Sequence, residues 1–218
     1  MINSVGKGRC IGILIDGPPG TGKTLLAISL AKEFKSSYYL IYASLLSDNT
    51  KFNRTLTRAI KDANNNGISF IIINQINEVR ESEQISLKSL LSVNHLISEE
   101  FERYSLKESS KLVIIGTMSK GEIGINKLQK AFEDRFLGYF GITFPTKQKE
   151  VEIAVKLTGC NPMVAETVVD VARELRKQAI RDKTITKVFS TRLIVNFCLI
   201  VSTMSPAYLL YNIENYII

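Results

Sequence analysis

The sequence is poor in cysteine, proline, glycine and histidine, and these shortages exclude several classes of protein. Its 218 residues include 3 Cys, 5 Pro, 13 Gly and 1 His. So few glycines and prolines exclude a collagen-like or low-complexity chain. Cys10, Cys160 and Cys198 are odd in number and far apart in the sequence, which predicts reduced, buried thiols of a cytoplasmic protein. The single His95 has no cysteine or acid at metal-ligand spacing, so we expect no zinc site around it.

Long hydrophobic runs are also missing. The apolar stretch from Leu193 to Val201 contains Asn196 and is too short to span a bilayer. Near the N-terminus, the apolar run that starts at Cys10 stops at Asp16, which is too soon for a secretory signal. We therefore expect neither a membrane span nor a membrane partner.

The composition that remains is that of a folded protein with a basic surface. Hydrophobic residues make up 45% of the chain and charged residues 22%, which excludes disorder for most of it. With 28 Lys+Arg against 21 Asp+Glu, the formal net charge is +7. This charge favours an anionic ligand or nucleic acid over a cationic partner, although a solvated basic surface is the simpler explanation.

Short apolar runs alternate with longer amphipathic segments in the first two thirds of the chain, which indicates βαβ units. The runs are nearly continuous rather than alternating, as in strands of a parallel sheet buried on both faces. The predicted strands are Cys10–Ile15, Tyr38–Ala43, Ser69–Ile73, Leu112–Gly116 and Tyr139–Phe144. The predicted helices between them are Lys23–Phe34, Phe52–Asn64, Glu83–Tyr104 and Asn126–Phe132.

Beyond Pro145 the sequence carries helical periodicity and no further strand. The predicted helices are Lys147–Leu157, Pro162–Arg181 and Arg192–Thr203, the second of them opening with Asn161 as N-cap and Pro162 at the first helical position. We therefore predict an α/β domain over residues 1–145 and a small helical domain over residues 146–218.

A glycine-rich segment between the first predicted strand and the first predicted helix carries the strongest functional signal. Residues 17–24 read GPPGTGKT and satisfy the pattern G-x-x-x-x-G-K-[ST] in the strand–loop–helix context that it requires. Such a loop wraps phosphates with backbone N–H groups, its lysine reaches the β- and γ-phosphates, and its threonine binds Mg²⁺. The predicted nucleotide-binding residues are Pro19, Gly20, Thr21, Gly22, Lys23, Thr24 and Leu25.

These residues and four later segments resemble the AAA+ ATPases, and in detail the MoxR-like branch. Residues 74–78 (NQINE) occupy the Walker B position, and residues 117–119 (TMS) that of sensor 1. Residues 131–136 (AFEDRF) are similar to the A-F-x-D-R-F segment of the branch, and residues 190–192 (STR) to its sensor 2 motif. The resemblance implies a P-loop NTPase fold, with a five-stranded parallel sheet flanked by helices and a helical lid domain.

The resemblance also implies roles for single residues. Gln75 stands where the family has the glutamate that polarises the attacking water, and Ser119 where sensor 1 lies. Arg135 takes the position of the arginine finger, which reaches the nucleotide of the neighbouring subunit. Arg192 takes that of the sensor 2 arginine. These four residues are the predicted catalytic set.

The Walker B acids have both become amides in this sequence. Asn74 replaces the aspartate that, together with Thr24, holds Mg²⁺ in the family, so these two residues are the predicted metal site. With Asn74 and Gln75 in place, we expect an ATPase that binds ATP and Mg²⁺ but hydrolyses ATP slowly or undetectably.

For function, the resemblance implies a ring, with six subunits expected, that remodels an unidentified client protein. One alternative is a nucleotide-gated scaffold without turnover, which the two amides favour. Another is a nucleic-acid-associated helper in replication or a mobile element, to which the charge of +7 lends slight support. No recognised DNA-binding module is visible, which counts against a sequence-specific reader.

Two weaker features permit more than one interpretation. Phe52 lies where many AAA+ rings place a pore-loop aromatic, but packing on a helix face is the simpler role. Arg173, Lys177 and Arg181 are spaced as one helix face. They could contact nucleic acid, although a solvated surface is the simpler explanation.

Overall fold

The computed structural model describes residues 8–45, 49–93, 95–97, 103–119, 128–181 and 189–203. Its contacts divide the chain into two compact units. The N-terminal unit consists of Met1–Gly17 and Gly22–Ile142, and the C-terminal unit of Pro18–Thr21 and Thr143–Ile218. The short stretch Pro18–Thr21 thus belongs by its contacts to the C-terminal unit, although it lies in the glycine-rich loop.

A five-stranded parallel sheet forms the N-terminal unit, as predicted. Its strand order is β2-β3-β6-β1-β7, and the four pairings are all parallel. The strands of the chain are β1 (Arg9–Asp16), β2 (Tyr38–Tyr42), β3 (Ile68–Asn74), β4 (His95–Ile97), β5 (Arg103–Ser105), β6 (Lys111–Met118) and β7 (Gly138–Gly141). In a parallel sheet the carboxyl ends of all strands lie at one edge, which is where such sheets bind ligands.

Helices cover both faces of this sheet, because alternate residues of β3, which point to opposite faces, are buried in two different hydrophobic clusters. Ile71 and Ile73 belong to one buried cluster, and Phe70 and Ile72 to the other. The helices of the unit are α1 (Lys23–Glu33), α2 (Asn49–Asn66), α3 (Glu81–Val93) and α4 (Lys130–Glu133). Phe52 of α2 is only 1% exposed within the first cluster, so the pore-loop interpretation is wrong and packing is its role.

The predicted helix Glu83–Tyr104 is wrong beyond Val93, where α3 ends. The chain then forms β4 and β5, which pair antiparallel. A tertiary interaction explains why β5 does not stay helical: the Asn64 side chain of α2 donates to the Ser105 carbonyl at 2.9 Å and accepts from the Lys107 N–H at 2.9 Å. These bonds capture the extended backbone, and such contacts override local propensity.

Several further boundaries differ from the sequence prediction, among them the start of α2, which is Asn49 rather than Phe52. The fifth sheet strand ends at Gly141 rather than Phe144. The helix predicted over Asn126–Phe132 is the short α4, which begins at Lys130, and residues 126 and 127 lie outside the described part of the chain.

Three helices form the C-terminal unit, and they match the predicted ones to within one residue at each end. They are α5 (Lys147–Thr158), α6 (Pro162–Arg181) and α7 (Thr191–Thr203). Asn161 caps α6, because its side-chain oxygen accepts from the Met163 N–H at 2.9 Å. Of the helices in the described ranges, none has the length and hydropathy that crossing a bilayer requires.

All three cysteines are free, in agreement with the prediction of reduced thiols. Cys160 and Cys198 are buried together in the core of the C-terminal unit, whereas Cys10 is half-buried. Burial, and to a smaller extent a hydrogen bond with Cys160, raises the pKa of the Cys198 thiol to about 11. This thiol is therefore protonated near neutral pH and unreactive as a nucleophile.

A buried carboxylate joins the three C-terminal helices. Glu150 of α5 is 0% exposed and accepts two hydrogen bonds from the Arg176 guanidinium of α6, each 2.9 Å long. It also accepts from the Thr191 hydroxyl at the start of α7, at 2.7 Å. Arg176 in addition donates to the Phe189 carbonyl at 2.6 Å and lies 3.8 Å from the ring centre of Phe144. The buried charge is thus fully supplied with partners.

We predict that Glu150→Gln strongly destabilises the C-terminal unit. The change leaves Arg176 as a buried cation without its counter-charge, which typically costs about 3–5 kcal/mol. Because the chain has no tryptophan, urea unfolding followed by far-UV circular dichroism is the suitable measurement. Glu152→Gln is the matched control, since Glu152 lies on the same helix in an exposed pair with Lys149 and should change stability little. Equal midpoints for the two variants would contradict this account of the buried carboxylate.

Candidate nucleotide-binding site

The glycine-rich loop connects β1, which ends at Asp16, to α1, which begins at Lys23. Its backbone requires glycine at two points. Gly20 and Gly22 have φ angles of 70° and 87°, in the left-handed region that side chains disfavour. Between them, the Thr21 hydroxyl donates to the Pro18 carbonyl at 2.8 Å and closes the turn. These φ angles and this hydrogen bond together define the shape of the loop.

Lys23 spans this loop. Its side chain is largely buried, and its ammonium donates to the Gly17 carbonyl at 2.8 Å, six residues earlier. No acidic residue lies in the first turn of α1, so nothing there opposes an anion at the positive end of the helix dipole. A cation, a helix N-terminus and backbone N–H groups of a loop are the elements from which proteins build anion sites. Next in sequence, Leu25 is 68% exposed, and Pro19 earlier in the loop is half-buried.

The two predicted metal ligands lie together. The Thr24 hydroxyl of α1 donates to Oδ1 of Asn74, the last residue of β3, at 3.0 Å. The Thr117 hydroxyl of β6 donates to the same oxygen at 2.9 Å. Asn74 and Thr117 are direct neighbours in the register of the sheet, so the strand pairing itself positions the amide. One amide oxygen thus serves two hydroxyls.

Gln75 follows Asn74 at the carboxyl edge of the sheet. It has a φ of 57°, one of two non-glycine residues with positive φ in the described part of the chain. Its carbonyl accepts from the Glu78 N–H at 2.8 Å, which closes a short 3₁₀ turn over Ile76–Glu78. Gln75 and Glu78 are both half-buried, so each side chain is within reach of solvent at this edge.

Ser119 and Arg135 occupy other parts of the N-terminal unit. Ser119 is half-buried and lies one residue beyond the end of β6, two residues after Thr117. Arg135 is exposed and follows α4, whose Phe132 is fully buried and packs edge-on against Phe136. The aromatic pair anchors this segment while leaving the guanidinium at the surface.

Arg192 lies in the C-terminal unit at the start of α7, where it is exposed. Ser190 caps that helix through a bond from the Leu193 N–H at 3.3 Å. Gly20 of the loop packs against this helix start: a Cβ on Gly20 would lie 2.8 Å from the Ser190 hydroxyl oxygen and 3.1 Å from Cβ of Arg192. The structure thus brings loop residues and the predicted sensor 2 segment together within one unit.

Sequence reasoning missed two groups of residues that support the site. Thr117 orients Asn74, and its position opposite Asn74 in a parallel sheet was an available signal. Asp16 accepts from the Gly17 N–H at 2.8 Å and from the Tyr139 hydroxyl at 2.6 Å, which links the start of the loop to β7. No sequence signal pairs residues 123 positions apart in this way.

Comparison with known proteins identifies the family of each part of the chain. Residues 13–143 match the ATPase family associated with various cellular activities (AAA). Residues 150–208 match the C-terminal region of the CbbQ/NirQ/NorQ proteins. The first match covers more than half of the chain, and the second covers most of the helical part.

Curated relatives share the nucleotide-binding part. Fidgetin-like protein 1 of Drosophila melanogaster is 28% identical over 152 residues, which is 67% of this chain and 28% of that protein. A putative 26S proteasome regulatory subunit homolog of Methanothermobacter thermautotrophicus is 28% identical over 180 residues, 78% of this chain and 46% of that protein. The chain thus spans less than half the length of these relatives.

Solved structures support the fold. The RuvB Holliday junction branch migration motor of Thermotoga maritima superposes with a TM-score of 0.58 at 16% identity, over 87% of this chain and 52% of that one. A mutant of the same RuvB gives a TM-score of 0.63 over 85% of this chain and 53% of that one. Together with the two sequence matches, these findings show that the chain belongs to the AAA+ ATPases, of the MoxR type.

Proposed function

We propose that the chain binds ATP with Mg²⁺ at the glycine-rich loop. The observation that carries the proposal is the junction of Lys23, Thr24 and Asn74, which puts a cation and a hydroxyl–amide pair at the start of one helix. Backbone donors of residues 19–22 would surround the phosphates, with Lys23 at their β- and γ-oxygens. Other AAA+ ATPases bind the same nucleotide, which supports this assignment.

Thr24 and Asn74 fit a Mg²⁺ site in a weakened form. The Thr24 hydroxyl gives its hydrogen to Asn74, so its oxygen remains an acceptor for a cation. Mg²⁺ would supply positive charge to the phosphates, and it keeps several waters in such sites. The side-chain oxygen of Asn74, however, already accepts hydrogen bonds from two hydroxyls. The other polar group of this side chain is an NH₂ donor, which cannot accept a hydrogen bond from metal-bound water. We therefore propose weaker metal retention than with a carboxylate.

Hydrolysis by this sequence is proposed to be slow. Gln75 has no basic oxygen with which to take a proton from water, and a general base is typically worth about 10²–10⁴-fold in rate. Ser119 would orient the attacking water, and Arg192 would add positive charge opposite the phosphates. Ser119 and Arg192 would thus position the water and stabilise the charge on the phosphates, but neither residue replaces the missing general base. Slow turnover supports a nucleotide-gated scaffold as a second candidate function.

The proposed working state is a ring that acts on a client protein. Arg135 is exposed, and apolar side chains that follow it are exposed too: Leu137 is 58% exposed, Tyr139 52% and Phe140 48%. The two aromatic residues lie on β7, an edge strand of the sheet. Exposed aromatic residues beside an arginine are typical of protein interfaces. A finger supplied by a neighbouring subunit would complete the site only on assembly.

The first test of this proposal is Lys23→Ala. We expect at least about a tenfold loss of ATP affinity, because a hydrogen bond to a charged group is typically worth about 1.5–3 kcal/mol. Isothermal titration calorimetry measures this loss. Lys32→Ala is the control, since Lys32 is exposed in the last turn of the same helix and should leave the affinity unchanged. Equal affinities of Lys23→Ala and the unaltered protein would refute binding at this loop.

The second test restores the acids. We expect Asn74→Asp combined with Gln75→Glu to raise phosphate release at least about tenfold, a conservative part of the general-base range. A coupled phosphate-release assay gives the rates, and Glu78→Gln is the control because Glu78 is a nearby carboxylate at a different offset. Rapid turnover of the unaltered chain that disappears in Glu78→Gln would instead make Glu78 the base.

The third test concerns assembly. We expect ATP and Mg²⁺ to shift the protein toward a ring, and Arg135→Ala to raise the protein concentration needed for assembly by about tenfold or more. Light scattering coupled to size-exclusion chromatography measures the assembly, while nucleotide affinity of the monomer should stay unchanged. Lys130→Ala, which removes a nearby exposed cation, is the control. A monomer under all nucleotide conditions would refute the ring.

A further inference from the structure

Helix α2 carries a row of cations on the side opposite its buried face. Lys51, Arg54, Arg58 and Lys61 are all exposed, and their spacings of three, four and three residues align them along one face of a helix. At about 1.5 Å per residue the row extends over about 15 Å. The apolar side of the same helix is anchored in the core through Phe52, Leu56, Ala59, Ile60 and Ala63. The row is therefore held straight and turned away from the core.

This row, unlike the basic stripe noted in the sequence, is not neutralised by acids. None of its four cations forms an ion pair with a carboxylate of the described residues. The single acid of α2, Asp62, accepts from the Tyr39 hydroxyl at 2.7 Å. Burial, together with this bond to Asp62, raises the pKa of Tyr39 to about 12, so the phenol stays a donor and the bond persists at neutral pH.

The other stripe, on α6, is used inside the protein. Arg173 donates to the Pro145 carbonyl at 3.3 Å and lies 3.5 Å from the Glu150 carboxylate. Lys177 pairs with Glu174 at 3.2 Å. The earlier prediction that a solvated surface explains this stripe is therefore incomplete, because Arg173 has a structural role. Uncompensated positive charge is found on α2 instead.

The chemistry around the row indicates what it binds. The described side chains of α2 include no exposed large apolar residue, whereas protein interfaces rely on apolar and aromatic anchors. The exposed residues of α2 itself include no aromatic ring, whereas single-stranded nucleic acid is held largely by stacking on several such rings. Among the described residues, the one ring that contacts the row is Tyr104 of β5, whose centre lies 5.3 Å from the Lys61 ammonium. Thr57 and Asn65, which flank the row, are instead able to hydrogen-bond phosphate oxygens. Arginine and lysine with such neighbours suit the backbone of a duplex.

We infer that the α2 row of Lys51, Arg54, Arg58 and Lys61 is a docking surface for the phosphate backbone of double-stranded nucleic acid. Its length of about 15 Å corresponds to roughly four phosphates of one strand, which are spaced about 3.4 Å apart along the duplex axis. Such contacts position the protein on the duplex without reading its sequence. None of the four cations belongs to the glycine-rich loop, so variants at the row test duplex binding independently of the proposed nucleotide binding.

The test compares two double variants of equal charge. Arg54→Gln with Arg58→Gln removes two cations from α2, and Lys177→Gln with Arg181→Gln removes two exposed cations from α6. Binding to a fluorescein-labelled duplex of about 20 base pairs is measured by anisotropy at salt concentrations from about 50 to 200 mM. The α2 variant should bind at least about tenfold more weakly, with the log–log salt slope reduced by about two, whereas the α6 variant should bind like the unaltered protein.

Four outcomes would overturn the inference. They are no duplex binding by the unaltered protein at the lowest salt, equal losses in both variants, an equal or higher affinity for the single strand, and displacement of the duplex by polyglutamate at matched charge. The last would point to an acidic protein partner instead. Circular dichroism checks that the variants fold, and Lys51→Gln with Lys61→Gln gives a second pair with the same expected loss. Calorimetry with ATP should show unchanged nucleotide affinity in every variant.

Discussion

The register of the parallel sheet is the constraint on which the candidate site depends. The strands are buried on both faces, and each face carries its own hydrophobic cluster. If the pairing of one strand shifted by one residue, all of its side chains would move to the opposite face and leave the cluster in which they pack. That fixed register places Asn74 beside Thr117 and brings both to the edge where α1 presents Thr24. The site is thus a consequence of how the core packs. In the proposed function the loop would supply the donors to phosphate, but strand pairing decides which side chains lie together.

Much of this arrangement follows from sequence patterns, since they are governed by local physics. Continuous β-branched runs predict buried parallel strands, and the loop pattern predicts a helix that begins at Lys23. Contacts between residues far apart in the sequence could not be predicted from these patterns. The capture of β5 by Asn64 and the burial of Glu150 with Arg176 join residues 41 and 26 positions apart. Neither pairing produces a periodic pattern in the sequence, because each depends on one side chain that contacts a residue far away along the chain.

The roles of the basic residues were equally difficult to predict from the sequence. The sequence predicted a solvated surface for the basic stripe on α6, but two of its three cations form ion pairs, because a sequence does not show which cations have partners. In the structure, Arg173 and Arg176 both contact the buried carboxylate of Glu150 and each donates to a backbone carbonyl, so these arginines stabilise the C-terminal unit. The cations of α2 face no such partner among the described acids. Exposed cations without an acidic partner can therefore be distinguished from cations with a structural role only when their contacts are known.

The assignment of Pro18–Thr21 to the C-terminal unit has a consequence for how the chain is connected. The polypeptide passes from one unit to the other three times, at residues 17–18, 21–22 and 142–143. After a single proteolytic cut at Ile142, residues 18–21 would belong to the first fragment by sequence but to the unit of the second fragment by their contacts, as at the start of α7. The two fragments would therefore form a complementation pair, in which the first fragment supplies four residues to the compact unit of the second.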